Sequence, residues 1–241
     1  MADDKKITFM GHLGELRKRL TRAVIAVVIT TAISFPLAKY IFQLLETRAE
    51  GIELIYIEMT EMIGTYFRVM FFSGLVLATP FLIYEVVMFV RPALTGKEKR
   101  YLYTMLPTVM VFFAIGVVFA YFVLIPPAAK FLITFGSDIA TPQIRVGNFV
   151  SLMVRLIFAI GVCFELPILM YFLTKIGVVT VQKMSRFRKF AIVGAFILAA
   201  IITPTFDPIN QSIVAVPLIL LYEIGLLLSR LAQRGKQKEY G

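Results

Sequence analysis

Six long apolar blocks separate the charged segments of the sequence, and they constrain the fold more than any other feature. A helix rises about 1.5 Å per residue, so the roughly 30 Å apolar core of a bilayer takes about 20 residues to cross. The first four blocks reach that length, whereas the fifth would extend only about 21 Å. We therefore expect an all-α fold, a single membrane domain over residues 1–241, with six transmembrane helices at roughly 21–40, 66–89, 102–125, 149–174, 190–203 and 210–229.

Prolines interrupt these blocks and predict bent helices. Each proline removes a backbone donor and kinks its helix, which a membrane tolerates where neighbouring helices or water satisfy the freed carbonyls. We expect a concave, cup-like arrangement rather than a straight bundle. The expected kink positions are Pro80, Pro107, Pro167 and Pro217 within blocks, and Pro126 and Pro127 at the end of one.

Basic residues predict the orientation of the chain. Of the 25 Lys and Arg residues, 19 fall in the N-terminal segment, the loops after the second and fourth blocks, and the C-terminal tail. Because such residues accumulate on the cytoplasmic side, both termini are expected in the cytoplasm, which requires an even number of spans. The net charge of +10 is thus explained by orientation and does not call for nucleic acid.

Glu165 is the polar residue that the sequence places deepest in the bilayer. It lies about 24 Å along a helix that enters from the outer side at Phe149. A carboxyl group at that depth costs a few kcal/mol or more, so it must be protonated, hydrated or paired. Two interpretations stay open: a structural hydrogen bond to a neighbouring helix, or a polar docking or proton-linked site that faces a cavity.

Two further carboxylates lie among basic residues on the predicted cytoplasmic side. Glu15 can form a helical i,i+4 pair with Arg19, and Glu98 fits a capping box opened by Thr95. The functional alternative is that both receive a cationic ligand. Other charges are expected at the membrane interface, where long side chains reach water: Glu85 and Glu223 at inner ends, Arg68 and Arg155 at outer ends.

No motif predicts catalysis, a cofactor or a metal site. The sequence lacks the phosphate-binding GxxxxGK[ST], HExxH and GxSxG patterns. His12 and Cys163 occur singly and at different depths, so they form neither a metal site nor a nucleophile–base pair. A small secondary transporter coupled to protons through Glu165 stays an alternative, whereas an intramembrane enzyme lacks support.

In order along the chain, the motifs resemble those of the TatC family, the large multispanning subunit of the twin-arginine protein translocase. The resemblance covers nearly the whole chain. It rests on Gly11–Leu20 (GHLGELRKRL), Phe89–Arg100 (FVRPALTGKEKR), Gly116–Phe122 (GVVFAYF), Gly161–Pro167 (GVCFELP), Val193–Phe196 (VGAF) and Pro217–Gly225 (PLILLYEIG).

The resemblance implies a signal-peptide receptor and core scaffold that exports folded proteins across the bacterial cytoplasmic membrane with proton-motive force. It implies as partners twin-arginine signal peptides, the single-span subunits TatA and TatB, the lipid bilayer and further copies of this chain. Glu165 matches the intramembrane acid of the family's concave face. The signal-peptide site implied by the matching positions comprises Glu15, Arg17, Phe89, Leu94 and Glu98.

Overall fold

The computed structural model describes residues 9–49, 54–91, 94, 96–134, 139, 141, 143–203 and 208–240. Within these ranges the chain is almost entirely helical and has no β-strand, which confirms the all-α prediction. A 3₁₀ turn occupies Thr47–Ala49 and a π-helical turn occupies Ala120–Leu124. The α-helices are α1 (Phe9–Ile33), α2 (Phe35–Glu46), α3 (Glu61–Val90), α4 (Gly96–Phe119), α5 (Ile125–Thr134), α6 (Val146–Cys163), α7 (Leu166–Ile176), α8 (Val181–Arg186), α9 (Arg188–Ile202) and α10 (Pro208–Tyr240).

Several of the described helices are long and apolar enough to cross a bilayer. Four stretches qualify alone: Glu61–Val90, Lys99–Phe131, Val146–Ile176 and Gln211–Arg234. The bent pair α1 and α2 provides a fifth if it is one span. With 15 residues, α9 reaches only about 22 Å. The chain is a multi-pass helical membrane protein, while the count of six spans stays a prediction.

A sharp break separates α1 from α2, whose axes differ by 71°. The backbone N–H and the hydroxyl of Ser34 both donate to the carbonyl of Thr30, at 2.9 and 2.8 Å. Pro36 follows in the first turn of α2, where its missing N–H costs nothing and its fixed φ suits a helix start. The bend therefore lies at a proline that the expected kink positions do not include.

Two of the expected kink positions coincide with departures from regular α-helix. Pro126 and Pro127 lie at the start of α5, directly after the π-helical turn, in which the Ile125 N–H bonds to the Ala120 carbonyl. Pro167 lies in the first turn of α7, after the break that contains Glu165. The other three prolines, Pro80, Pro107 and Pro217, lie inside continuous helices α3, α4 and α10.

The core forms around α6, which packs against α3, α4 and α9. Eleven of its 18 residues are buried, more than one face of a helix can supply, so α6 is surrounded by other helices. On the two sides of this centre, α1 packs against α3 and α10 packs against α7. Gly74 permits the first of these contacts, because a Cβ atom there would lie 2.6 Å from the Cα atom of Thr31.

At the predicted outer end, an outer clasp formed by residues 54–61 and 143–147 connects α3 to α6. The Ile55 N–H donates to the Ile144 carbonyl at 3.1 Å, and the Val146 N–H donates to the Ile55 carbonyl at 2.9 Å. The Glu61 carboxylate accepts the N–H groups of Ile57 and Gly147, each at 3.1 Å. Glu61 therefore satisfies an orphan donor at the start of α6 as well as one in its own loop.

Candidate functional site

The first motif of the sequence, on α1, faces the predicted inner end of α3. Glu15 and Arg19 form the i,i+4 pair that the helical spacing predicts: the Arg19 Nε donates to the Glu15 Oε1 at 3.0 Å and Nη2 donates to the same oxygen at 2.5 Å. The helix-pair interpretation of Glu15 is therefore confirmed. It does not exclude a functional role, because the same guanidinium has a second partner.

That second partner is Glu85 on α3. The Arg19 Nη1 donates to the Glu85 Oε2 at 2.9 Å, and Arg22 lies 3.9 Å from the other Glu85 oxygen. Glu85 is only 4% exposed, so the expectation that its side chain extends to the membrane interface is wrong. The helices bring a basic side chain to it, and a buried carboxylate with a partner is far less costly than one without.

Glu15, Arg19 and Glu85 form what we call the carboxylate–arginine cluster. In it two carboxylates share the Arg19 guanidinium, and the exposed fraction of the side chains falls from 26% for Glu15 to 5% for Glu85. Glu15 is thus the carboxylate that a ligand from the aqueous side can reach. Glu85 binds Arg19 from the buried side of the cluster. A carboxylate has about four lone-pair sites, so neither acid is saturated by this one cation.

The other predicted signal-peptide residues lie around the same ends of the helices. Phe89 follows Glu85 by one turn of α3 and is half-buried, and Arg17 is exposed on α1. Leu94, also half-buried, donates its N–H to the Arg91 carbonyl at 3.2 Å.

Glu98 completes the predicted set, and the structure places only its backbone. Glu98 lies in the first turn of α4, but its side chain is outside the described residues, as is the whole of Thr95. The predicted capping box is therefore untested. The structure brings Glu15 to the inner end of α3, and the position of the second carboxylate stays a prediction.

Glu165 lies at the break between α6 and α7, where its carbonyl accepts the Leu169 N–H at 2.9 Å. Its side chain is half-buried. It contributes to the lining of a cavity of about 420 Å³ bounded by α3, α4, α6 and α7. Apolar side chains such as Val86, Leu106 and Phe158 form most of that lining. Among the described residues no side chain pairs with its carboxyl group, so the first of the two interpretations, a hydrogen bond to a neighbouring helix, finds no partner there.

Two other charged residues expected at the interface instead form side-chain hydrogen bonds between helices. Arg68 on α3 donates to the Ser151 hydroxyl on α6 at 2.8 Å. Glu223 on α10 accepts a hydrogen bond from Arg188, at the start of α9, at 2.8 Å. Within the described ranges no group of His, Cys, Asp and Glu side chains is arranged to hold a metal ion.

Sequence reasoning missed Glu85 as a member of the site. The pairing of Arg19 with Glu85 joins positions 66 residues apart, so no local spacing rule can find it. A usable signal was present: Glu85 lies about one and a half turns inside the inner end of its span, and a carboxyl group inside the bilayer needs a partner.

Comparison with known proteins agrees with the order of the motifs. The family model described as Sec-independent protein translocase protein (TatC) matches residues 11–217. The TatC protein of Carboxydothermus hydrogenoformans is 33% identical over 240 residues, which cover 99% of this chain and 98% of that protein. The TatC protein of Aquifex aeolicus is 39% identical over 233 residues, covering 94% and 96%.

A solved structure agrees as well. A crystal structure described as the twin-arginine translocase receptor TatC superposes on this chain with a TM-score of 0.84 at 39% identity, covering 92% of this chain and 99% of that one. Since the family model and the relatives span nearly the full length, the resemblance seen in the motifs is confirmed. The chain belongs to the TatC family of Sec-independent protein translocase proteins.

Proposed function

We propose that this chain is the receptor for twin-arginine signal peptides and that Glu15 receives one of the two arginines. Membership of the TatC family makes the chain a component of a protein-transport complex in a membrane, and a transport protein rather than a catalyst. The observation that carries the proposal is the carboxylate–arginine cluster, whose Glu15 already binds a guanidinium at the accessible inner ends of α1 and α3.

The chemistry of this site fits arginine better than lysine. A guanidinium presents several N–H donors in a planar fork, whereas an ammonium is a compact point charge that cannot reproduce that geometry. Arg17 and Lys18 follow Glu15 by two and three residues in α1, and both are exposed. They repel a generic basic peptide, so only a cation placed directly on the carboxylate gains from the approach. The second arginine is assigned to Glu98, with Phe89 and Leu94 bounding the site on its apolar side.

The proposal extends to the partners and to the location of the chain. We assign both termini to the cytoplasm and the chain to the bacterial cytoplasmic membrane, where the single-span subunits TatA and TatB and further copies of this chain complete the complex. The half-buried carboxyl of Glu165 in its apolar cavity fits a partner helix that brings a hydrogen-bond donor, because such a donor is worth most where water is scarce.

Peptide binding to the detergent-purified chain tests the receptor function. We expect a peptide with consecutive Arg-Arg to bind more tightly than its Lys-Lys twin, and Glu15→Gln to weaken the Arg-Arg peptide. A charge-assisted hydrogen bond contributes about 1.5–3 kcal/mol when dry and less at a wet interface. Because about 1.4 kcal/mol is a factor of ten, the loss should be at least several-fold. Adding Glu98→Gln should remove the arginine preference altogether.

Glu58→Gln is the matched control, because Glu58 is 68% exposed and lies in the outer clasp, at the opposite end of the molecule. It removes the same charge and should leave both affinities unchanged. Equal binding of the two peptides, insensitive to the Glu15 and Glu98 substitutions, would contradict the receptor function. Uptake of a small solute into liposomes that contain only this chain would then favour a secondary transporter.

A further inference from the structure

We propose that Arg19 is a built-in competitor for the signal peptide at Glu15, and that Glu85 holds Arg19 while the exchange takes place. Arg19 then lowers the affinity for every peptide that must displace it, and Glu85 is a positioning residue. The inference rests on the proposed receptor function and adds to it two residues that do not belong to the site implied by the motifs.

The resting site is already occupied by the chain's own guanidinium. Arg19 directs Nε and Nη2 to a single Glu15 oxygen, at 3.0 and 2.5 Å. These are the donors that a peptide arginine would offer to the same carboxylate. An incoming arginine therefore does not fill a vacant site but replaces a group of its own kind.

Glu85 makes that replacement feasible. Its Oε2 accepts the remaining donor, Nη1 of Arg19, at 2.9 Å, so Arg19 keeps one carboxylate when it leaves the other. Before the exchange two carboxylates share one guanidinium, and afterwards each has its own. Without Glu85 the displaced Arg19, whose side chain is only 18% exposed, would be left as a largely buried cation with no partner.

Exchange lowers the affinity for both peptides without changing the preference between them. A peptide arginine restores the two contacts that Glu15 loses, so replacing Arg19 is nearly balanced and the rest of the signal peptide can drive it. A lysine restores only a single-point contact in place of the two-donor one. Because both peptides displace Arg19, the cost of displacement is the same for both, and the preference for arginine is set at the Glu15 carboxylate.

Peptide binding to four variants of the full-length chain tests the inference. Arg19→Gln removes the competitor, and we expect the affinities of the Arg-Arg and Lys-Lys peptides to rise together, by about five- to tenfold. Arg19→Lys should give a smaller rise, since a lysine is a weaker competitor. Glu85→Gln should weaken the Arg-Arg peptide several-fold, because the displaced Arg19 loses its counter-charge. In the Arg19→Gln/Glu85→Gln double variant, Glu85→Gln should have no further effect.

Arg22→Gln is the control for charge. Arg22 is 63% exposed and lies 3.9 Å from Glu85, so the substitution removes a nearby positive charge without freeing Glu15. It should change the two affinities much less than Arg19→Gln does. The double variant also serves as the control for folding, because two neutral amides replace the buried ion pair and leave no unpaired charge.

The outcomes separate this inference from the function on which it rests. If the unaltered chain shows no arginine preference, or keeps it in full in the Glu15→Gln/Glu98→Gln variant, the receptor function itself fails. If Glu15→Gln weakens the Arg-Arg peptide but Arg19→Gln leaves both affinities unchanged or lowers them, the receptor function stands and the exchange is overturned. An equal effect of Glu85→Gln with and without Arg19 would also overturn it, since Glu85 would then act directly.

Discussion

Single carboxylates hold separate parts of this chain together at both predicted membrane surfaces. Glu61 is the example on the outer side: its two oxygens accept N–H groups from two different loops, and Arg145 lies 3.5 Å away. The carboxylate of its neighbour Glu58 pairs with Arg145, at 3.1 Å. The exposed fractions of these side chains, 11% for Glu61 and 68% for Glu58, predict very different consequences when each is removed.

We expect Glu61→Ala to lower the thermal unfolding temperature in detergent clearly more than Glu58→Ala does. Removing Glu61 leaves two backbone donors without a partner, whereas an exposed ion pair contributes little. Thermal unfolding followed by circular dichroism, or by the fluorescence of an added dye, would measure the difference. Equal shifts for the two variants would mean that Glu61 does not tie the outer clasp to α6.

The pairing of Glu15 with Arg19 could be predicted from the sequence, and that of Arg19 with Glu85 could not. The first follows from four-residue helical spacing, which is a local property. The second depends on how α1 lies against α3, which the apolar pattern of a membrane helix barely encodes because lipid-facing and helix-facing positions are both apolar. The same reason hides the contact of Arg68 with Ser151.

At the scale of helices, small residues decide how closely two elements approach. A Cβ atom at Gly74 on α3 would lie 2.5 Å from the Thr31 hydroxyl and 2.6 Å from its Cα atom. A backbone atom cannot rotate away, so α1 would have to move. Gly64, on the same helix, has open space at this position. The two glycines therefore form a matched pair for substitution.

We expect Gly74→Val to destabilise the chain by about 1–3 kcal/mol, the usual cost of overpacking, and to weaken binding of the Arg-Arg peptide. Displacing α1 separates Arg19 from Glu85, so binding and stability should fall together. Gly64→Val has only the small propensity term of a β-branched residue in a helix. Unfolding and the affinity of the Arg-Arg peptide measure the two effects. A tolerated Gly74→Val would mean that α1 is not held by this contact.

Helix breaks could be predicted only in part. The sequence indicates kinks at every proline inside an apolar block. Regular α-helix is interrupted before Pro167, and a π-helical turn lies directly before Pro126–Pro127. The helices continue through Pro80, Pro107 and Pro217. The 71° bend lies before Pro36, where Ser34 bonds back to Thr30. A proline alone does not decide between a kink and a new helix, because that depends on where neighbours satisfy the freed carbonyls.

At the scale of the whole molecule, the positive-inside pattern predicts which loops face which side. Met59, 94% exposed, belongs to the outer clasp, and Val178, 64% exposed, lies between α7 and α8. We expect Met59→Cys in a Cys163→Ser background to react with a membrane-impermeant maleimide in intact cells. Val178→Cys should react only after lysis, because the lipid bilayer separates the two loops. The reverse pattern would invert the assigned topology.

The number of spans differs between the sequence prediction and the described helices that meet the criteria for a span. The apolar blocks predict six, while four described helices meet the length and composition expected of a span, or five with the bent pair. The difference lies in α9, whose 15 residues are fewer than the roughly 20 that a bilayer core takes. Helix length alone therefore cannot assign α9, and its pairing with α10 must be used instead.

The distance of Arg19 from Glu15, a single helical turn, has a consequence for how long cargo stays bound. Under the proposed exchange, Arg19 is a tethered ligand whose local concentration is fixed by the helix and does not fall as cargo is diluted or consumed. Whenever a peptide arginine loosens, Arg19 is in place to recapture the carboxylate. The receptor would thus return to its resting state without any external factor, which favours rapid turnover over tight retention.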